Sequence, residues 1–285
     1  MKQWLKHSGY ATRLRLKVSC TNPKEGFALT TIKERYESVK QRIADAATRA
    51  GRNPDSIHLV AVTKYASVDE VRQLVDLGHL DFGESRLQHF TQLSAQIAEY
   101  VARKKELKEP TSSDTIRWHF IGHLQRNKCR RVLPLSRLIH SVDSLRIAEE
   151  IQEIAQKKNL TIEVLLQTNI SGERQKTGIA PPAVSYLLEQ IESMPNVIPR
   201  GMMCMAPFSE NPEDSRSVFS RCSELFEEMQ GEPVAGDAFN ILSMGMTNDF
   251  EVAIECGANV VRIGSALFDQ EKTNTQIEPL TETTS

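Results

Sequence analysis

No apolar run in the 285 residues approaches the roughly 20 consecutive positions that a helix needs to cross a bilayer. A basic excess is missing as well: 35 Lys and Arg face 37 Asp and Glu, for a net charge of −2. That balance argues against a general nucleic-acid-binding surface. Neither membrane nor nucleic acid is therefore an expected partner. The five cysteines are odd in number and include no C-x-x-C pair. Such usage suits a reducing, cytoplasmic location better than a disulfide scaffold. No internal repeat or low-complexity tract is evident.

What is present is enough apolar chain, 40% of the residues, to bury one large core or two modest ones. The first 30 residues stand apart. Lys2, Lys6, Arg13, Arg15, Lys17 and Lys24 face one acid, Glu25. Two readings are open for this basic extension: an organelle-type presequence, or a disordered extension, and the second is preferred.

From Thr31 a helix is expected to about residue 50. Ile32, Tyr36, Val39, Ile43 and Ala46 recur at helical spacing, and Gly51 stands at the C-terminal cap position. Strand-like and helix-like segments then alternate. Strands are expected near 58–63, 80–82, 117–121, 137–140, 161–168, 198–203, 239–242 and 259–262. Helices are expected near 68–77, 85–105, 124–132, 144–158, 181–193, 212–230 and 247–256, with a last short one from Ser265. Several strands are continuous apolar runs, such as Leu59–Val62, as parallel strands covered on both faces require. The pattern predicts an α/β fold, a single (β/α)8 TIM barrel with an extra N-terminal helix, over residues 31–270. A doubly wound open sheet is the rival architecture. Lys108–Asp114 reads as an exposed loop and residues 271–285 as a flexible tail.

Active sites in such barrels lie at the C-terminal ends of the strands, and the chemically active residue types collect there. Lys64 follows the first strand. Its functional reading is an amine kept uncharged by its site, able to condense with an aldehyde. Its plain reading is a strand cap facing solvent. Tyr65 is its neighbour, and strand alternation would turn that ring to the opposite side. Ser243-Met244-Gly245-Met246-Thr247 and Ile263-Gly264-Ser265 end the seventh and eighth strands. Glycine admits backbone N–H groups to phosphate oxygens, Ser243, Thr247 and Ser265 offer hydroxyls, and both turns are expected to open helices. Arg262 lies within the eighth strand, next to the first once a barrel closes. Beside a pyridine ring it would donate to the ring nitrogen and weaken the ring as an electron sink. Its alternative partner is a carboxylate, Glu84 or Asp249. His119 and His123 have poor spacing for zinc and no cysteine pair to help them, so no metal site is expected. Met202, Met203, Cys204 and Met205 read as core filler.

Ala61-Val62-Thr63-Lys64, Phe82-Gly83-Glu84, the Trp118–Lys128 block, Asn169-Ile170-Ser171, Lys176-Thr177-Gly178, Gly201–Pro207 and Leu242–Phe268 together resemble the YggS/PROSC family of pyridoxal phosphate homeostasis proteins. The resemblance runs from Ile32 to Phe268. It implies a barrel like the N-terminal domain of alanine racemase and pyridoxal 5′-phosphate (PLP) as cofactor. By that resemblance Lys64 forms the Schiff base, and Ser243, Gly264 and Ser265 hold the phosphate with Met246 and Thr247 nearby. By the same resemblance Arg262 faces the pyridine nitrogen. The family acts in vitamin B6 and amino-acid homeostasis without an established turnover reaction. Where the family usually has asparagine and an aromatic after the glutamate, this chain has Ser85 and Arg86.

Three functions are weighed: a PLP-holding homeostasis protein, a PLP-dependent racemase of low activity, and a metal- or phosphosugar-handling barrel enzyme. Racemisation needs an acid/base group on each face of the substrate carbon. The racemase resemblance places the second group on a further domain, for which few residues remain after Phe268. The expectation is a monomeric carrier whose recipients include apo PLP-dependent enzymes.

Overall fold

The computed structural model describes residues 31–107, 115–173 and 177–268. The basic extension of residues 1–30, the 108–114 loop, Lys176 and the tail from residue 269 lie outside them.

The first element, α1 (Ile32–Arg49), begins at a capping box. Thr31 Oγ1 accepts from the Glu34 N–H at 3.2 Å, and the Glu34 carboxylate accepts from the Thr31 N–H at 2.8 Å. Its apolar stripe of Ile32, Tyr36, Val39 and Ile43 is buried. Removing the cap by Thr31→Ala should cost about 1 kcal/mol. The urea midpoint at constant slope measures this; an unchanged midpoint would mean that the box does not hold the helix end.

The elements that follow are β1 (His58–Val62), α2 (Val68–Asp76), β2 (Asp81–Glu84), α3 (Leu87–Glu106), β3 (Arg117–Phe120), α4 (Arg126–Val132), β4 (Leu138–Val142) and α5 (Leu145–Lys158). After them come β5 (Ile162–Gln167), α6 (Val184–Glu192), β6 (Val197–Met203), α7 (Arg216–Gly231), β7 (Ile241–Ser243), α8 (Phe250–Glu255) and β8 (Val260–Ile263). Each strand pairs in parallel with the next, and β8 pairs with β1, so the sheet is a closed barrel. The open-sheet rival is excluded by that last pairing.

Alternation along the strands sorts the side chains. Leu138, Leu165 and Met203 form a small cluster inside the barrel, with Ile241 against it. Ala61, Phe82, Ile139, Leu166, Met202, Leu242 and Val261 point the other way, into the core shared with the helices. Helix α1 lies across the seam between the ends of the barrel sequence. Arg42 and Arg49 reach Glu251 and Glu255 of α8 at 2.7 and 2.9 Å, and Arg35 Nε donates to the Leu267 carbonyl at 2.7 Å.

Three differences from the sequence reading have local causes. The expected helices at 181–193 and 212–230 start as 3-10 turns, Pro181–Ala183 and Pro212–Ser215, before α6 and α7 begin. Proline fits the first turn, where its missing N–H costs nothing. The expected helix from Ser265 is one turn among the described residues, with the N–H groups of Leu267 and Phe268 both on the Gly264 carbonyl at 2.9 Å. The expected eighth helix starts at Phe250, not near residue 247, because Asp249 folds its side chain back on the turn and accepts from the Met246 N–H at 2.7 Å.

Candidate functional site

Strand β1 ends at Val62, and Lys64 and Tyr65 stand in the turn beyond it. A turn does not alternate, so the expectation that Tyr65 would face away from Lys64 fails. The Lys64 ammonium lies 4.9 Å from the centre of the Tyr65 ring, within cation–π range. Lys64 is exposed. Its side chain stands at the open mouth of the barrel.

Across the β1–β8 pairing, Val60 stands opposite Arg262 and Ala61 opposite Ile263. Gly264 follows directly. A Cβ there would sit 3.3 Å from the Val62 carbonyl oxygen, so glycine lets the two strand ends approach. Among the described residues the backbone N–H groups of Gly264 and Ser265 have no protein acceptor. Ser265 is exposed. The next amide, Ala266 N–H, donates to Thr247 Oγ1 at 3.4 Å and ties this turn to the one after β7. Gly245 shapes that second turn with φ +92°; a Cβ would meet Phe250 Cα at 2.8 Å. Two open amides, two hydroxyls and glycines where side chains would block approach form a cradle that fits a phosphate. The Met246 N–H does not contribute, since Asp249 already occupies it. The Met246 side chain is half-exposed at the rim.

Ser243 and Arg262 are placed differently from expectation. Arg262, 4% exposed, bonds neither Glu84 nor Asp249. Its Nη1 donates to Ser243 Oγ at 2.6 Å and its Nη2 to the Cys204 carbonyl at 3.0 Å. Burial lowers its pKa from the ordinary range, yet a guanidinium keeps its proton in proteins. Two of its N–H groups are thereby fixed, and the rest remain for a ligand.

Ser243 belongs to a buried chain of polar groups that crosses the barrel. His140 Nδ1 lies 3.1 Å from Ser243 Oγ, His140 Nε2 lies 3.0 Å from His119 Nδ1, and His119 Nε2 lies 3.1 Å from Asp81 Oδ1. Arg117 closes the far end with two bonds to the Asp81 carboxylate, at 2.6 and 2.7 Å. With both histidines neutral, one assignment of protons satisfies every link. The ionised Asp81 only accepts, so His119 donates from Nε2 and accepts at Nδ1. His140 then donates from Nε2 and accepts at Nδ1 from the Ser243 hydroxyl. The hydroxyl oxygen in turn accepts from Arg262. Burial holds the His140 pKa well below its usual value, with the charge of Arg262 adding to the effect. Asp81 is pushed up by burial, but the bonds from Arg117 and His119 outweigh that and keep its pKa far below the ordinary carboxylate range. In this arrangement the Ser243 hydroxyl orients Arg262.

The rest of the expected polar set is dispersed. Glu84 is buried behind the strands and accepts from Thr63 Oγ1, the Ser85 and Arg86 N–H groups and His89. His123 pairs with Asp143 at 3.2 Å, on a different network from His119. Cys204 packs its sulfur 4.0 Å from Met244 Sδ, as core filler, while its carbonyl holds Arg262. Sequence reasoning places His140 at the end of the fourth strand without a role and misses the Cys204 carbonyl. Alternation could have placed His119, His140 and Arg262 inside the barrel, but their pairing needs the strand registers.

Residues 35–271 match the family described as alanine racemase, N-terminal domain. The pyridoxal phosphate homeostasis protein of Aquifex aeolicus is 38% identical over 239 residues, covering 84% of this chain and 98% of the relative. The structure of PipY from Synechococcus elongatus with PLP bound superposes with a TM-score of 0.69 at 27% identity, covering 84% of this chain and all of that one. An alanine racemase from Clostridium difficile shares the fold, with a TM-score of 0.60 at 16% identity over 84% of this chain and 55% of its own length.

Proposed function

Because the chain belongs to the pyridoxal phosphate homeostasis protein family, on the fold of the alanine racemase N-terminal domain, we propose that it binds PLP at the β1–β8 seam and serves PLP homeostasis. The observation that carries this reading is the convergence there of Lys64, the open amides of Gly264 and Ser265, and Arg262. PLP supplies an aldehyde that a lysine amine holds as a Schiff base. In this reading Lys64 provides that amine. Gly264, Ser265 and Thr247 receive the phosphate, and Arg262 presents an N–H to the ring nitrogen. An arginine in that place keeps the nitrogen unprotonated, which favours holding the cofactor over using it as an electron sink.

The exposed position of Lys64 supports a carrier, since a cofactor at an open mouth can leave as well as enter. Tyr65 does not supply the opposite face that racemisation needs, because its ring lies on the same side as the ammonium. The carrier is read as monomeric and cytoplasmic, delivering PLP to apo enzymes.

Mixing the full chain with PLP and reducing with borohydride tests the reading. The expected result is one pyridoxyl mass increment on the peptide containing Lys64, with a visible absorption band before reduction, and loss of both in Lys64→Ala. A label on other lysines with none on Lys64 would remove the proposal. Robust conversion of L-alanine to D-alanine would replace the carrier by a racemase.

A further inference from the structure

A second cavity opens at the same end of the barrel, between the start of α3 and the face of α4. It has a volume of about 320 Å³, and its polar lining comes from Ser85, Arg86, Gln88, His123, Lys128 and Arg131. No carboxylate lines it. Arg86, Lys128 and Arg131 form no ion pair among the described residues. The acids of the neighbouring helix do not reach it: Glu150 and Glu153 of α5 line a separate groove with Arg126 and Arg130. The loop's own acid, Glu84, is buried and already saturated by Thr63, Ser85, Arg86 and His89.

The charges also stand against the local rules of helix formation. The N-terminus of a helix carries partial positive charge and is ordinarily capped by an oxygen and flanked by acids. The 20-residue α3 has Arg86 at its cap position, no side-chain cap and no acid in its first turn. The Glu84 carboxylate answers the N–H groups of Ser85 and Arg86 at the start of α3, but the side-chain charges of Arg86, Lys128 and Arg131 meet no acid in the cavity lining.

We propose that this cavity is a second anion subsite, for a phosphate monoester. Three cations suit a dianion, and arginine forks match phosphate oxygens. Half-buried Lys128 forms one wall. Arg86 joins the cavity to the Lys64 site. Its guanidinium lies 5.3 Å from the centre of the Tyr65 ring, the same ring that carries the Lys64 ammonium. A phosphorylated molecule held here would thus be a neighbour of Lys64 without using the Gly264 cradle. The subsite stands independently of what Lys64 binds.

Inorganic phosphate is the probe. The full chain is titrated at low ionic strength and followed by 31P NMR, in the wild type, in Lys128→Glu with Arg131→Glu, and in Ser265→Glu, which blocks the other cradle. Lys128→Gln with Arg131→Gln controls for folding of the charge-reversed protein, and far-UV circular dichroism checks each variant. The expected result is that Ser265→Glu retains a phosphate site, that the double reversal weakens that site by at least about tenfold, and that the neutral pair falls between. Phosphate affinity within twofold of wild type in both double variants would overturn the subsite. So would loss of all phosphate binding in Ser265→Glu alone. Failure of Lys64 to take up PLP leaves these readouts unchanged, so the two proposals fail separately.

Discussion

Gly201→Ala is expected to unfold much of the protein at physiological temperature, with a loss of about 3–5 kcal/mol. The position lies in β6 at φ +144°, where residues with a side chain are strained, and a Cβ would sit 1.8 Å from the Ile241 carbonyl oxygen of β7. That contact is with backbone, so no side chain can swing aside. The strands must part or the register must slip. The local geometry explains why the close approach exists. The β5–β6 register shifts between Val164 and Leu165, so that Pro199 and Gly201 bracket an extra residue, Arg200, on β6. Arg200 spans the bulge, with its Nη1 on Glu163 at 2.7 Å and its carbonyl accepting from the Asn240 N–H at 2.9 Å. Cys204 and Ser243, the two groups that hold Arg262, lie just downstream on the strands that would separate. Any Gly201→Ala protein that does fold should therefore also hold PLP more weakly. Thermal unfolding and cofactor retention measure the two effects. Wild-type melting behaviour would show that the seam has slack that the geometry denies.

Stability should also fall by about 2–3 kcal/mol as the pH is lowered from about 7.5 to about 5.5. Two histidines cause this. Burial drives the His79 pKa down to about 4, where Tyr36 OH lies 3.3 Å from Nδ1 and the Asp81 carbonyl 2.7 Å from Nε2. Burial likewise depresses His140 inside the barrel. The sign follows from linkage. Below the ordinary histidine pKa of about 6.5 the unfolded chain takes up protons that the folded chain refuses, so each fall in pH favours unfolding. Asp81 and Glu84, whose folded pKa values are lowered, add a further loss only at more acid pH, as the medium approaches and passes through the carboxylate range. Urea titrations across this window, compared with His140→Gln, test the assignment: the variant should show a shallower slope below about pH 6.5. Equal slopes in both would place the acid sensitivity elsewhere.

How much of this was legible beforehand differs from link to link. The alternation of apolar runs and amphipathic stretches sufficed for the barrel and for α1, because burial on both faces of a strand and on one face of a helix writes directly into residue order. Lys64, Gly264, Ser265 and Thr247 lie at strand ends, which composition locates to within a residue or two. The partners of Arg262 were not readable. Sequence charge suggested Glu84 or Asp249, but Glu84 points outward, toward Thr63 and His89, and Asp249 is turned onto its own loop. The groups that do hold the guanidinium, a serine hydroxyl and a main-chain carbonyl, carry no distinctive signature. Tyr65 was misplaced for a different reason: the alternation rule was extended past Val62, where the strand had already ended.

The union of β8 with β1 governs when binding competence arises. During synthesis the ribosome releases Lys64 early and the Gly264 turn near the end of the barrel. The amine and the phosphate cradle come together only at the last ring closure, after the intervening loop entropy has been overcome. On the proposed site, a nascent or clipped barrel that lacks the final strand would hold Lys64 with no grip for an anion beside it. If Lys64 and the Gly264 turn hold the cofactor together, as proposed, its capture is a readout of completed folding.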